Sequence, residues 1–188
     1  MEGIETVRQD RKIEGLDGFI AVGYYHDPRL RAVIRGLKYR NATCLDGACR
    51  EVLRRYAETR IHPWPWAGES TLVVQPVVGA PNRIRTRGFD PAAFVAAALK
   101  KGPIPWAAMG SLLERKTSVS TQADLPPDAL RQANVKGVFS VRENADIPEA
   151  VLLTDDVFTT GATMREAARI LREAGVKRVY GFVLALGA

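Results

Sequence analysis

The chain has 188 residues, about a quarter of them charged, with a formal net charge of +6. That length suits one α/β domain with a small appendage. The positive balance allows anionic partners, but no helix-turn-helix, zinc finger or aromatic–basic interleaving points to a nucleic-acid reader. Two cysteines, Cys44 and Cys49, are too few for a disulfide scaffold and fit a reducing cytoplasm; with His26 and His62 as the sole, scattered histidines, they do not spell a zinc site. No apolar run is long enough to span a membrane, and the opening Met1–Thr6 lacks the charged-then-apolar order of a secretory leader.

Before Gly18 the residues are polar and mixed, an arm or a loose strand. Phe19–Tyr25 reads as a strand. His26-Asp27-Pro28 turns the chain, with Asp27 as N-cap and Pro28 at the first helical position. The helix that follows gathers Leu30, Val33, Ile34 and Leu37 on one face. A second helix covers Leu45 to Ala57, with Arg50, Arg54 and Arg55 as a solvated face. Together the pair forms a small N-terminal helical hood. The rigid Pro/Trp connector Ile61–Gly68 marks a boundary between an arm and hood (1–68) and a core (69–188).

Thr71–Val78 is the first core strand, followed by a turn at Gly79-Ala80-Pro81. Arg83, Arg85 and Arg87 then alternate beside Gly88, a pattern at a strand's carboxyl end that suits an anion such as pyrophosphate, with Val78 and Gly79 beneath it. A solvated charge run is the other reading of the same residues. Asp90 and Pro91 start a helix from Ala92 to Lys101 that buries Phe94, Val95 and Leu99. Met109–Glu114 reads as a second core strand. The polar, aperiodic Arg115–Pro127 is longer than an ordinary connection. Gly137–Val141 is a short strand expected to pair with the entry to that segment.

The stretch with the most chemistry is Val151-Leu152-Leu153-Thr154-Asp155-Asp156-Val157-Phe158-Thr159-Thr160-Gly161-Ala162-Thr163. A β-branched apolar run ends on two carboxylates, and a hydroxyl-rich bend leads into an amphipathic helix, Met164–Ala174, closed by Gly175. Strand, bend and helix N-terminus together suit a phosphate, because backbone N–H groups converge there and the helix dipole favours the anion. Paired carboxylates repel a bare phosphate but accept hydrogen bonds from vicinal hydroxyls or hold a divalent cation. The pattern therefore fits a phosphate attached to a polyol. It is neither a Walker loop nor a dinucleotide fingerprint. Lys177–Leu186 is a last strand.

That stretch resembles the phosphoribosyl-pyrophosphate (PRPP) motif of the type I phosphoribosyltransferases. The tract Tyr24–Arg40 and the spaced Gln122, Leu125, Arg131, Asn134-Val135 and Phe139 are similar to the ComF-type, competence-associated branch. The chain departs from that branch in Asp90-Pro91, where Asn-Gln is usual, in Val119, where Thr is common, and in lacking the cysteine-rich zinc module with which such proteins commonly open.

The resemblance implies an α/β fold with a mainly parallel central sheet flanked by helices. It further implies Mg²⁺-dependent binding of PRPP and displacement of pyrophosphate by a nitrogenous base or amine. Asp155 and Asp156 would hold the ribose, Val157 to Thr163 (with Phe158, Thr159, Thr160, Gly161 and Ala162) would wrap the 5-phosphate, and Val78, Gly79, Arg83, Arg87, Arg115 and Lys116 would take the pyrophosphate. No residue is assigned as general base. The second reading is a non-catalytic module, sensing PRPP or assisting DNA uptake. Beyond PRPP and the base or amine, the partners expected of the chain are a second copy of itself, single-stranded DNA or competence proteins.

Overall fold

A computed structural model describes residues 12–39, 46–59, 63–81, 84–85, 88–116 and 135–187. Its centre is a five-stranded sheet in the order β1-β7-β6-β2-β3, where β1 is Gly18–Tyr24, β2 Val73–Pro76, β3 Ala108–Met109, β6 Ala150–Phe158 and β7 Arg178–Leu186. Every pairing in that sheet is parallel. Four helices are described: α1 (Pro28–Tyr39), α2 (Asp46–Thr59), α3 (Pro91–Lys101) and α4 (Ala162–Glu173). The chain thus has the α/β architecture that the sequence implies. None of the helices among the described residues is long and apolar enough to cross a membrane.

Helices cover both faces, which is why β6 and β7 read as continuous apolar runs rather than alternating ones. On one face α1, α2 and α3 bring Leu30, Ile34, Leu53, Val95 and Leu99 against Ile20, Val74 and Leu152. On the other, α4 sets Met164, Ala167, Ala168 and Leu171 against Val151, Leu153, Val179 and Val183. Each Val, Leu, Ile or Met side chain so withdrawn from water contributes about 1.5–3 kcal/mol. The N-terminal strand β1 is hydrogen-bonded to β7 along its length, so the N-terminal segment and the core share one sheet. Of the helical positions expected to be buried, Phe94 is only half-buried, while Val95 and Leu99 are fully enclosed.

Met109–Glu114 is not one core strand. It divides at Gly110 into β3, at the sheet edge, and β4 (Leu113–Arg115), which pairs antiparallel with β5 (Phe139–Val141) in a separate ribbon. A Cβ on Gly110 would lie 2.4 Å from Val73 Cγ1. The buried Gln75 side chain accepts the Leu112 N–H at 2.7 Å and draws the chain away from the sheet. The expected pairing of the 137–141 strand with the entry to the polar segment is present as that ribbon.

At the amino ends of the strands, Glu69 takes both arms of the Arg178 guanidinium (2.5 and 2.7 Å) and the Tyr180 hydroxyl (2.5 Å). The Arg178 hydrogen bonds hold the Glu69 carboxyl below its usual range despite its burial, and the Tyr180 phenol is pushed up by burial and by that carboxylate. Glu69→Ala is expected to destabilise the fold by about 2–3 kcal/mol, less than a wholly buried pair because Arg178 is partly solvated. Urea unfolding would read this as a lower midpoint at unchanged slope. Because the native Glu69 pKa is depressed, its contribution is present above the unfolded carboxyl pKa and is lost as pH falls through the native value. The variant should therefore show a weaker acid dependence.

Candidate functional site

From β6 the chain passes through α4 to β7 on one side; from β2 it passes through α3 to β3 on the other. The two connections part between β2 and β6. In open α/β sheets the carboxyl ends of the strands at such a point frame a crevice. Here that crevice is bounded by the residues after β2 and by the end of β6.

Asp155 and Asp156 stand near the carboxyl end of β6. The strand continues past them to Phe158 because Val157 and Phe158 still pair with Ala185 and Leu186. Asp156 is buried and Asp155 half-buried. The Asp156 N–H donates to Asp155 Oδ1 at 2.8 Å. Burial first, then the neighbouring Asp156 carboxyl and the more distant Asp90, push the Asp155 carboxyl well above its ordinary range. Two like-charged groups with one held toward its neutral form are primed for a partner that restores the charge: hydroxyl donors or a cation.

Beyond β6 the bend is short. Phe158 turns into the core against the Phe19 ring, 4.8 Å between centroids. Thr159 and Thr160 are exposed. Gly161 adopts the left-handed conformation (φ 74°) as N-cap of α4 and has no side chain with which to cap that terminus. The helix begins at Ala162, two residues earlier than its apolar period indicates, with Thr163 in its first turn. Of the first-turn N–H groups of α4, that of Ala162 donates to Thr160 Oγ1 at 3.4 Å, and those that follow face the bend without a capping side chain from Gly161.

Across the crevice, Val78 and Gly79 follow β2 and are half-buried. Asp90 joins this wall to α3: its Oδ1 accepts Ala92 N–H at 3.0 Å as N-cap, and its Oδ2 accepts Gly79 N–H at 3.2 Å. Asp90→Ala should cost about 1 kcal/mol for the lost cap, read as a lower urea midpoint. Arg115 on β4 donates to the Val78 carbonyl at 3.2 Å and lies over the Phe139 ring, so the structure brings it to the β2 side of the crevice. Lys116 is exposed and its backbone N–H is held by Val138 O. Arg83 and Arg87 lie outside the described residues.

Two polar residues that the sequence reading passed over tie this framework together. Gln75 bridges Pro76 O and Leu112 N–H, and Thr154 Oγ1 donates to Ala92 O at 3.1 Å. Both interrupt otherwise apolar runs, which is the signal that could have found them. A separate groove of about 460 Å³ runs along α4, lined in part by Lys136, Arg165, Arg169 and Arg172. Arg169 is already held by Glu166 and Glu173, and Arg172 by Asp17, so the groove, which reaches Ala162 at the start of α4, is mostly charge-compensated.

Among the described residues, no cluster of three or more His, Cys, Asp or Glu could cage a metal. Mg²⁺ commonly takes one or two carboxylates and completes its shell with water and ligand phosphates. Asp155 and Asp156 fit a cation carried in with a phosphorylated ligand.

No family model matches the chain. Competence protein F of Haemophilus influenzae is 28% identical over 172 residues, which span 90% of this chain and 72% of that protein. Adenine phosphoribosyltransferase of Bradyrhizobium sp. (strain ORS 278) is 30% identical over 140 residues, 74% of this chain and 68% of that one.

The chain belongs to the type I phosphoribosyltransferase-like family.

A shorter match, 44% over 46 residues and 21% of the relative's length, joins it to Competence protein ComFC of Streptococcus pneumoniae. Family membership accords with the crevice between β2 and β6, where the acidic pair and the glycine bend of the PRPP-like motif stand together.

Proposed function

We propose that the protein is a phosphoribosyltransferase that binds PRPP with Mg²⁺ and transfers the phosphoribosyl group to a nitrogen nucleophile. The observation that carries this reading is one juxtaposition. The Asp155–Asp156 pair and the glycine-started α4 N-terminus sit on one side of the strand-order divide, and the Val78-Gly79 bend with Arg115 sits on the other. This separates a polyol-and-phosphate half from a pyrophosphate half.

In the reaction the bond from ribose C1 to the pyrophosphate oxygen breaks, with its electron pair leaving on pyrophosphate. A nitrogen–C1 bond forms, and the nucleophile gives up a proton. Positive charge grows on the ribose ring as the leaving group departs. Asp155 and Asp156 bind the ring hydroxyls, and their ionised forms offset that charge. The α4 amides after Gly161 fix the 5-phosphate, and Arg115, with Arg83, Arg87 and Lys116, receives pyrophosphate. Bound Mg²⁺ supplies neutralisation of pyrophosphate charge. The protein's share is orientation and fixed electrostatics. The test is pyrophosphate release from PRPP and Mg²⁺ with a panel of bases and ammonia. Release that depends on one acceptor supports the transferase, and none with any acceptor overturns it.

The extent of similarity to a competence protein favours one other reading, a PRPP-binding module that assists DNA uptake without catalysis. PRPP binding without turnover, together with a gel shift on single-stranded DNA at low salt, would select it.

A further inference from the structure

Resting on the transferase reading, we infer that Glu166 is a positioning residue. By holding the Gly137 amide it sets the β4–β5 ribbon, and with it Arg115, at a fixed height against the helix that carries the 5-phosphate bend. Its hydrogen bonds go to Gly137 and Arg169 and not to the crevice, so it acts only through the spacing of the two halves.

On α4, Met164, Ala167, Ala168 and Leu171 turn to the core. Glu166, one turn beyond Ala162, is buried beside them at 8% exposure. An apolar residue of similar size often serves stability as well at such a place, so stability alone does not account for a carboxylate there. Its Oε1 accepts Gly137 N–H at 2.6 Å. Arg169 donates to both of its oxygens, at 2.7 and 2.8 Å. Those Arg169 bonds keep the carboxyl below its usual range against the cost of burial. The acceptor is therefore ionised and held in one orientation.

Gly137 is where the ribbon begins. It takes the left-handed conformation (φ 76°), in a turn closed by Val138 N–H onto Val135 O at 3.3 Å. The ribbon is not part of the main sheet. Val138 and Phe139 pack in the core with α4, but apolar packing is non-directional. The charge-assisted bond to Gly137 supplies the direction. From there the path to the crevice is short. Lys116 N–H donates to Val138 O at 2.8 Å, and Phe139 pairs with Arg115 across the ribbon. The Arg115 guanidinium lies over the Phe139 ring and donates to Val78 O. Glu166 thus joins the phosphate half to the pyrophosphate half. Ribose 5-phosphate needs only the first half, whereas PRPP spans both. A preset spacing spares ordering cost for the spanning ligand alone.

The experiment measures Kd for PRPP and for ribose 5-phosphate, each with Mg²⁺, by calorimetry on the full chain, Glu166→Gln and Glu166→Asp. Glu166→Gln keeps the length and an acceptor oxygen for Gly137 N–H but gives up the charge. Glu166→Asp keeps the charge for Arg169 but falls short of Gly137. Glu166→Asp should weaken PRPP by about tenfold, the scale of one charge-assisted hydrogen bond, and leave ribose 5-phosphate within about twofold. Glu166→Gln should leave both ligands within about twofold. A merely structural ion pair with Arg169 would give the reverse order. In an Arg115→Ala background, Glu166→Asp should add less than about twofold to the loss of PRPP, because the group it positions is gone. Parallel loss of both ligands in Glu166→Asp, a greater loss of PRPP in Glu166→Gln, or additivity with Arg115→Ala overturns the inference. So does failure of the unaltered chain to bind ribose 5-phosphate while it binds PRPP, since the halves are then not separable. Failure of the unaltered chain to bind PRPP overturns the transferase reading instead, so the two failures are told apart.

Discussion

Mg²⁺ and PRPP at a hundredfold excess over Kd are expected to raise the melting temperature by about 5–10 °C, since such binding contributes about 2.7 kcal/mol. The Asp155→Asn, Asp156→Asn double variant is expected to lose that rise. The amides keep the shape but neither attract a cation nor accept charge-assisted bonds from ribose hydroxyls. A differential scanning measurement on both proteins decides it, and an unchanged shift in the double variant removes these residues from the site.

The same pair gives a pH signature. The native Asp155 pKa is raised, chiefly by burial and then by Asp156. Its contribution to stability is therefore fully present below the unfolded carboxyl pKa and is lost as pH rises through the native value. At neutral pH the ligand-free chain carries that cost, and Asp155→Asn should relieve it. The variant should melt higher than the parent near pH 7, with the difference closing as pH falls to the ordinary carboxyl range. Ligand hydroxyls and cations favour the ionised form, so PRPP affinity should rise with pH over the window in which Asp155 titrates.

The second large effect is at the bend. Gly161 has φ 74°, and a Cβ there would lie 2.1 Å from Phe158 Cζ. Phe158 cannot easily give way, because it is enclosed against Phe19. Gly161→Ala combines left-handed strain with overpacking, about 2–4 kcal/mol together. Relief would require the bend to open, and that displaces the α4 amides. The variant should unfold at lower urea and also lose the thermal shift with PRPP. Full retention of both would mean that the bend does not depend on this glycine.

Much of the site was legible because its parts are contiguous in sequence. An apolar run ending in Asp155-Asp156, then hydroxyls, a glycine and an amphipathic helix follow from local periodicity and capping chemistry. Asp90 could likewise be read as an N-cap from its place before Pro91. Boundaries were less legible. β6 runs past the aspartates because β7 pairs with it there, and no residue within the motif encodes that. Met109–Glu114 looks uniform as a string, yet it splits because Gly110 meets Val73 and Gln75 captures the Leu112 amide, both contacts with a distant strand.

The sequence by itself determined the strand-and-helix alternation, the acidic pair, the glycine bend and the apolar face of α1, since these depend on neighbours within a few positions. Tertiary structure alone decided that the connections diverge between β2 and β6, that Asp90 reaches Gly79, that Arg115 meets the Val78 carbonyl, and that Tyr24 is level with Phe158. Strand order and register are set by which apolar faces can be covered at once across the whole sheet, a condition that no local stretch of chain carries.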